Sequence, residues 1–162
     1  MEKSVIVDLV PEIAKEAIEK GKLAMPISGN SMFPFLSSNN TITVVKCDTG
    51  HLWPGDIILY TVRREKQILI AHRIIKKMQY HSRRMFITKG DSCRRCDEPV
   101  DSSSIIGRII EIKKTNYNIR LDNLTGRMLN TAVLLLSVIN LFYFARVFFM
   151  KITNLEETWE QR

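Results

Sequence analysis

The sequence lacks the features that identify several protein classes directly. Three cysteines in 162 residues are too few for a disulfide-built fold. The basic residues come with no zinc-finger, basic-zipper or aromatic RNA-binding motif. The N-terminus has no long apolar run, so we expect neither a signal peptide nor an N-terminal anchor. Because 45% of the residues are hydrophobic and 25% charged, disordered and collagen-like chains are excluded. One globular domain is expected at this length.

Charge of one sign is in excess. The 24 Lys and Arg against 17 Asp and Glu give a net charge of +7. This balance fits nucleic acid, an anionic membrane surface or an acidic partner. Many of the basic residues come as pairs, such as Arg63-Arg64, Arg83-Arg84, Arg94-Arg95 and Lys113-Lys114. Pairs at presumed loop tips favour solvated charge over a nucleic-acid groove, so a basic domain held near an anionic bilayer is the simpler expectation.

The chain divides into three zones. Residues 1–23 have apolar residues near helical spacing and predict an amphipathic helix with Gly21 as its stop. Because a first turn tolerates Pro11, we expect the regular helix to begin near Val10. Residues 24–121 are rich in short β-type runs and predict a β-rich domain. Residues 122–162 predict a hydrophobic helix and a tail.

Six short runs between turn signals predict the strands of the central zone. They are Thr41 to Val45, Asp56 to Val62, Gln67 to Ile75, Met85 to Thr88, Ile105 to Ile112 and Tyr117 to Leu121. The second and third flank a charged turn, which indicates a hairpin. The expected fold class is therefore mainly β, a small barrel or sandwich flanked by one helix at each end.

The C-terminal zone contains a long apolar segment. Residues 128–145 carry no charge over eighteen positions, and the run extends to Met150 if Arg146 snorkels to an interface. We expect it to span or enter a membrane as a single pass. Asn130, Ser137 and Asn140 form a thin polar face, so a helix packed on the β domain stays open. The flanking basic residues would place the β domain in the cytoplasm, against what export processing requires.

The segment Ile27 to Leu36, ISGNSMFPFL, is the sharpest local feature. A small polar turn adjoins an apolar stretch with a proline, which would place Ser31 at a tight bend. A nucleophilic serine needs an accessible hydroxyl and nearby backbone N–H groups that can hold an oxyanion. The same pattern also occurs in turns with no catalytic role.

A nucleophilic serine needs a base, and His72 is the best-placed histidine. With a period of two it shares a strand face with Ile68, Ile70 and Ile74, so it is held on rigid structure. A satisfied histidine at the edge of the core is the alternative. The other two histidines, His51 and His81, fall in a loop and a polar turn.

An acidic group should orient the imidazole. Asp91 and Asp97 are the candidates, in TKGDSCRRCDEPV. Either could instead bond the backbone of its own turn.

Taken in order, these segments resemble the type I signal peptidase superfamily. GNSMFPFL resembles its serine box, PGDIILY the strand after it, AHRII the box of the base, and TKGDSCRRCDEPV with IIGRII the last two boxes. The histidine points to the Ser-His-Asp branch of the endoplasmic reticulum, archaea and some Gram-positive bacteria. The resemblance implies a serine endopeptidase with Ser31 as nucleophile, His72 as general base and Asp97 as the orienting acid. Asp91 would shape the site.

The serine box departs from that branch. Gly-Asn-Ser-Met is closer to the mitochondrial inner-membrane peptidases and the self-cleaving LexA-type repressors. The expected oxyanion donor is the Ser31 backbone N–H, aided by the turn at 28–30.

Cys93-Arg94-Arg95-Cys96 lies between the two acids. Zinc needs about four N or S ligands, and only Cys47, His51 and His81 remain as distant donors. We therefore expect thiols in a loop, with no metal and no cofactor. If this loop lies outside the cytoplasm, a Cys93–Cys96 disulfide could stiffen it.

The expected function is cleavage of signal or leader peptides through an acyl-enzyme, with the peptide of a protein substrate and a membrane as partners. A cytoplasmic maturation protease for a dedicated peptide is one alternative. A non-enzymatic LexA-like regulatory or dimerisation module is another, and the absence of a DNA-binding domain argues against it. A lysine base, Lys76 or Lys89, would replace His72 if the histidine proves dispensable.

Overall fold

A computed structural model describes residues 6–7, 11–63, 67–145 and 147. Over these residues the chain is mainly β, with two helices, α1 (Pro11–Glu19) and α2 (Leu124–Val138). The strands are β1 (Ile6–Val7), β2 (Lys22–Pro26), β3 (Thr41–Val45), β4 (Ile57–Arg63), β5 (Gln67–Tyr80), β6 (Arg83–Lys89), β7 (Val100–Asp101), β8 (Ile105–Lys113) and β9 (Asn118–Arg120). Single 3₁₀ turns lie at Thr49–His51 and Ser102–Ser104.

All the strands join one antiparallel sheet. The order is β2-β3-β8-β4-β5-β6-β7, with β1 beside β5 and β9 beside β8. The mainly β fold predicted from the sequence is therefore confirmed. No ladder within the described ranges joins β2 to β7, so the predicted barrel closure is not among the observed pairings.

The core lies on both faces of the sheet. On β4, Ile57 and Leu59 belong to one buried cluster, whereas Ile58 and Tyr60 belong to the other. This division follows from the alternation of side chains along a strand. Because both faces are covered, β4 and the first half of β5 are almost continuously buried.

The predicted hairpin is confirmed by the pairing of Arg63 with Gln67, although its turn, 64–66, lies outside the described residues. Strand β3 has the predicted bounds, while β5 continues beyond Ile75 to Tyr80. Three strands were not predicted: β1 and β7 have two residues each, and β2 follows directly after the first helix.

Helix α1 is shorter than the predicted zone 1–23, and its start lies one residue after Val10, where the regular helix was expected to begin. It starts at Pro11, whose missing N–H is tolerated at the first position. Gly21, at a φ of 141°, ends the turn that follows it. Ala14 and Ile18 bury the apolar face of α1 in the first cluster. Ile6–Val7 pairs with β5 as a strand, so this part of the predicted helix is corrected; residues 1–5 and 8–10 lie outside the description.

Helix α2 packs on the sheet. Its N-cap is Asn123, whose side chain accepts a hydrogen bond of 2.7 Å from the Gly126 N–H. After Val138 the chain turns through Asn140, at a φ of 58°, and residues 141–145 are again helical. Within the described part of the chain, no helix has both the length and the apolar character needed to cross a membrane. The predicted run to Met150 is described only in part, because 146 and 148–150 lie outside it.

Candidate active site

Ser31, His72 and Asp97 meet in one hydrogen-bonded row. The Nε2 atom of His72 lies 3.0 Å from the Ser31 Oγ, and its Nδ1 lies 2.6 Å from the Asp97 Oδ2. Ser31 is 1% exposed and His72 is 3% exposed. The three residues come from positions 41 and 25 residues apart in the chain, so the fold brings them together.

The sheet fixes His72. On β5 it pairs with Ile58 of β4, and it lies on the same face as Ile70 and Ile74, which belong to the second apolar cluster. The period-two prediction for this strand is therefore correct. Because the ring is enclosed, its orientation is fixed, with Nε2 facing Ser31 and Nδ1 facing Asp97. A general base needs such a fixed orientation.

The Asp97 carboxylate receives three hydrogen bonds on one oxygen. Besides His72, the Thr88 hydroxyl donates to its Oδ2 at 2.7 Å and the Tyr60 hydroxyl donates at 3.1 Å. Burial by itself would raise the pKa of Asp97, but the hydrogen bond and charge of His72, with the two hydroxyls, lower it below the usual value. Asp97 is therefore held as a carboxylate.

Thr88 and Tyr60 were not predicted as site residues. Both lie in segments that the sequence had singled out, TKGD and PGDIILY, but neither residue type marks an orienting role. The Tyr60 hydroxyl also lies 3.1 Å from the Thr88 Oγ1. Burial and the nearby Asp97 charge raise the pKa of Tyr60, so it remains a neutral donor.

The loop that carries Ser31 is anchored on both sides. Met32 and Leu36 are fully buried in the first apolar cluster. On the polar side, the Gly29 N–H donates to the Ser38 Oγ at 3.0 Å, and Gly29 has a φ of 95°, which suits glycine. The apolar residues after the serine therefore fix the bend that the polar residues before it make possible.

Ser92 clamps the carbonyl side of the serine loop. Its N–H donates to the Ser31 carbonyl at 2.9 Å, and its hydroxyl donates to the Asn30 carbonyl at 2.7 Å. With those carbonyls turned toward Ser92, the Ser31 N–H donates to no acceptor in the described ranges. The Gly29 N–H, in contrast, is already used by Ser38.

Gly90 closes the back of the site. A Cβ at this position would lie 2.6 Å from the Ser31 carbonyl oxygen, 2.6 Å from the Cys93 Sγ and 3.1 Å from the His72 Nε2. No side chain fits there without moving Ser31 or His72. The sequence marked Gly90 only as a turn residue.

Asp91 lies beside this row and pairs with Arg73. The guanidinium donates through Nε and Nη2 to the two Asp91 oxygens, both at 2.8 Å, and neither residue's side chain is exposed. Arg73 Nη1 also donates to the Gly55 carbonyl at 2.7 Å and to the Asn130 Oδ1 of α2 at 2.8 Å. Of the two candidate acids, Asp97 therefore contacts His72, whereas Asp91 fixes the loop between Gly90 and Ser92.

The two candidate lysines do not point at the serine. Lys89 is buried, and its Nζ donates to the Ser137 carbonyl at 2.8 Å and to the Ser137 Oγ at 3.2 Å. Burial lowers the pKa of Lys89. Lys76 is exposed on β5. The geometry therefore favours His72 as the base.

Cys93 and Cys96 are thiols and are not bonded to each other. Cys93 is buried, with its Sγ 3.9 Å from the Ser31 carbonyl oxygen, whereas Cys96 is exposed. His51 and His81 lie at exposed positions. Over the described ranges no group of three or more His, Cys, Asp or Glu residues is arranged to hold a metal ion.

The C-terminal segment borders the site. Tyr143 and the 93–97 loop line one surface cavity. The Phe142 ring meets the edge of Phe35 in the serine loop, with 6.2 Å between centroids. Residues 141–145 therefore lie against both loops that carry the site.

Comparisons of the chain with models of protein families, with curated proteins and with solved structures find no match.

Proposed function

We propose that the chain is a serine endopeptidase that cleaves signal or leader peptides by a Ser-His-Asp mechanism. The single observation that carries this proposal is the row Ser31–His72–Asp97, with contacts of 3.0 and 2.6 Å. The order of roles is that of other serine triads: a hydroxyl, a base that faces it, and an acid behind the base.

Acylation begins with the neutral imidazole. The Nδ1–H of His72 donates to Asp97, which leaves the Nε2 lone pair facing the Ser31 hydroxyl. As Oγ attacks the scissile carbonyl carbon, its proton passes to Nε2 and the carbonyl oxygen becomes an oxyanion. The tetrahedral intermediate collapses when the C–N bond breaks and Nε2 protonates the leaving amine.

Deacylation repeats these steps with water. His72 takes a proton from the water that attacks the acyl carbon, and it returns that proton to the Ser31 Oγ when the ester bond breaks. The new carboxyl terminus leaves, and the free hydroxyl is restored. Asp97 stays ionised throughout and stabilises the imidazolium, which agrees with its lowered pKa.

The oxyanion needs donors, and the Ser31 backbone N–H is the one that the loop offers. Ser92 holds the Ser31 and Asn30 carbonyls on the other side, so this N–H is left for the substrate. Since Ser31 is 1% exposed, a substrate reaches it only if a bordering segment moves.

The substrate class is proposed from the resemblance of four short segments to the signal peptidase superfamily. A protein's signal or leader peptide would be the partner, and the apolar C-terminal zone would hold the chain at a membrane. A peptide emerging at a bilayer would then meet the site without a separate recruitment step.

A fluorophosphonate probe tests the chemistry. We expect it to label wild-type protein covalently at Ser31, and we expect Ser31→Ala to remove labelling. His72→Ala and Asp97→Ala should lower the labelling rate per folded molecule, with the loss of stability followed in parallel by thermal unfolding. Ser103→Ala, at an exposed serine far along the chain, is the matched control and should label as wild type does.

Cleavage of a leader peptide tests the substrate class separately. Labelling without cleavage of any leader peptide would keep the serine chemistry and reject the proposed substrate. Full labelling in His72→Ala would reject His72 as the base. Absence of labelling in a folded wild-type protein would reject the peptidase proposal itself.

A further inference from the structure

Helix α2 turns two polar residues inward. Asn130 and Ser137, one helical heptad apart, accept hydrogen bonds from the buried cations Arg73 and Lys89. Gly126 and Val133 complete the same buried face. This is the reverse of the arrangement in a water-soluble amphipathic helix, whose apolar face is buried.

The outward face of the C-terminal helical segment is apolar. Leu124, Met128, Leu135 and Val138 follow the spacing i, i+4, i+11 and i+14, so they share one side of α2. These four residues form the outer face, and their exposed fractions lie between 52% and 76%. Beyond the turn at Asn140, Leu141 and Phe144 are also exposed, at 47% and 63%. Arg127, at i+3, and Thr131, at i+7, are exposed on the same side, so the surface is apolar with two polar positions, and exposed apolar side chains grouped in this way mark an interaction surface.

Aromatic and arginine side chains lie near both ends of the outer face. Trp53 is 65% exposed and shares a surface cavity with Arg127 of α2. Toward the other end, Tyr143 shares a cavity with Arg94 and Arg95. Aromatic and arginine side chains of this kind are found at the headgroup level of membranes. There the apolar part of the side chain contacts lipid and its polar end contacts water or a headgroup.

The net charge of the chain distinguishes the two partners that could cover the outer face, a second copy of the chain and a lipid bilayer. A second copy of this chain would carry the same net charge of +7, so electrostatic repulsion between the two copies would oppose their association. An anionic bilayer offers the opposite charge, worth about 1 kcal/mol for each basic residue near its surface. We propose that the outer face docks in the plane of an anionic lipid bilayer.

Helix α2 would lie in the plane of the bilayer because only its outer face is available to contact lipid. Its inner face is bonded to β5 and β6 through Arg73 and Lys89, so lipid cannot surround residues 124–138. The helix therefore lies along the interface, as monotopic helices do. Since residues 141–145 also border the 93–97 loop, the docked site would face the membrane surface.

Vesicle flotation of the full chain tests the docking. Vesicles of phosphatidylcholine with phosphatidylglycerol should bind the protein more tightly than vesicles of phosphatidylcholine alone, and added salt should weaken the binding. Met128→Ser and Leu135→Ser should each weaken it about tenfold, and the double variant about a hundredfold. Ile13→Ser, at a residue of α1 with 55% exposure, is the matched control and should bind as wild type does.

Two results would overturn the proposal. One is equal binding by the double variant and the control. The other is a dimer in sedimentation velocity that Leu135→Ser dissociates while vesicle binding is unchanged, which would assign the outer face to a second copy. Flotation requires no cleavage, so its outcome is independent of the fluorophosphonate test.

Discussion

Replacing Gly90 by alanine tests whether the space behind the Ser31–His72–Asp97 row is required for the proposed activity. The new Cβ would lie 2.6 Å from the Ser31 carbonyl oxygen, where ordinary contact begins at 3.4 Å, so a displacement of 3.4 − 2.6 = 0.8 Å is required. The Ser31 carbonyl belongs to the backbone and is held by Ser92. The backbone of the serine loop must therefore shift, and the 3.0 Å contact between Ser31 and His72 would lengthen.

This shift gives the expected magnitude. A misplacement of about 1 Å in a catalytic group costs on the order of 10²-fold in rate, which corresponds to about 2.7 kcal/mol in the barrier. Overpacking should also lower the free energy of unfolding by about 1–3 kcal/mol. Gly90 is not at a positive φ, so backbone strain does not explain the effect.

The assay is the rate of fluorophosphonate labelling per folded molecule, with urea unfolding in parallel. Gly107→Ala is the matched control, because its Cβ would lie 2.5 Å from the Val45 carbonyl oxygen in the ladder between β8 and β3. It should lose similar stability and label at nearly the wild-type rate. Adding Cys93→Ala to Gly90→Ala should not restore labelling, since the carbonyl clash remains. Labelling of Gly90→Ala within about threefold of the wild-type rate, against the expected loss on the order of 10²-fold, would refute the argument.

Three other variants test the groups around the row. Thr88→Val removes a charge-assisted donor to Asp97, so the free energy of unfolding at neutral pH should fall by about 1.5–3 kcal/mol in urea titrations. Asp97 has a lowered pKa, so its stabilising effect is present above its unfolded pKa of about 3.9 and is lost as pH falls through its folded value. The stability gap between wild type and Asp97→Asn should therefore narrow below about pH 4, and a gap that widens there would contradict the sign. Asp91→Asn leaves the Arg73 charge buried without its partner and should cost about 3–5 kcal/mol. The double variant Asp91→Asn/Arg73→Met should recover much of that loss of stability. If the losses of the two single variants simply added in the double variant, the proposed energetic coupling between Asp91 and Arg73 would be wrong.

Ser31, His72 and the two candidate acids could be predicted from the sequence because each of them lies in a recognisable local segment. His72 alternates with apolar residues in the sequence, and in a β-strand alternate residues lie on the same face of the sheet. The residue pattern by itself left Asp91 and Asp97 as two candidate acids, and only the resemblance favoured Asp97. Their roles depend on Arg73, which is adjacent to His72 on β5 but whose side chain binds Asp91.

The polarity of α2 could not be predicted, for a physical reason. Asn130 and Ser137 formed a thin polar stripe, and such a stripe usually faces water. It faces the protein because Arg73 and Lys89 are buried on strands 57 and 48 residues earlier in the chain. The strands β1 and β7 were missed for another reason: two residues carry no periodicity, and their pairing is decided by the neighbouring strand.

The inward polar stripe of α2 also bears on how far this protein is modular. A boundary near Leu121 separates a β-rich zone from a helical zone in composition, and it would look like a natural place to cut. A shortened chain that ends there would keep Asp91 for Arg73 but would remove both acceptors of Lys89, leaving an ammonium group on β6 next to Gly90. Helix α2 thus supplies partners for the buried charges of the sheet, so residues 124–138 belong to the same folding unit as the candidate site.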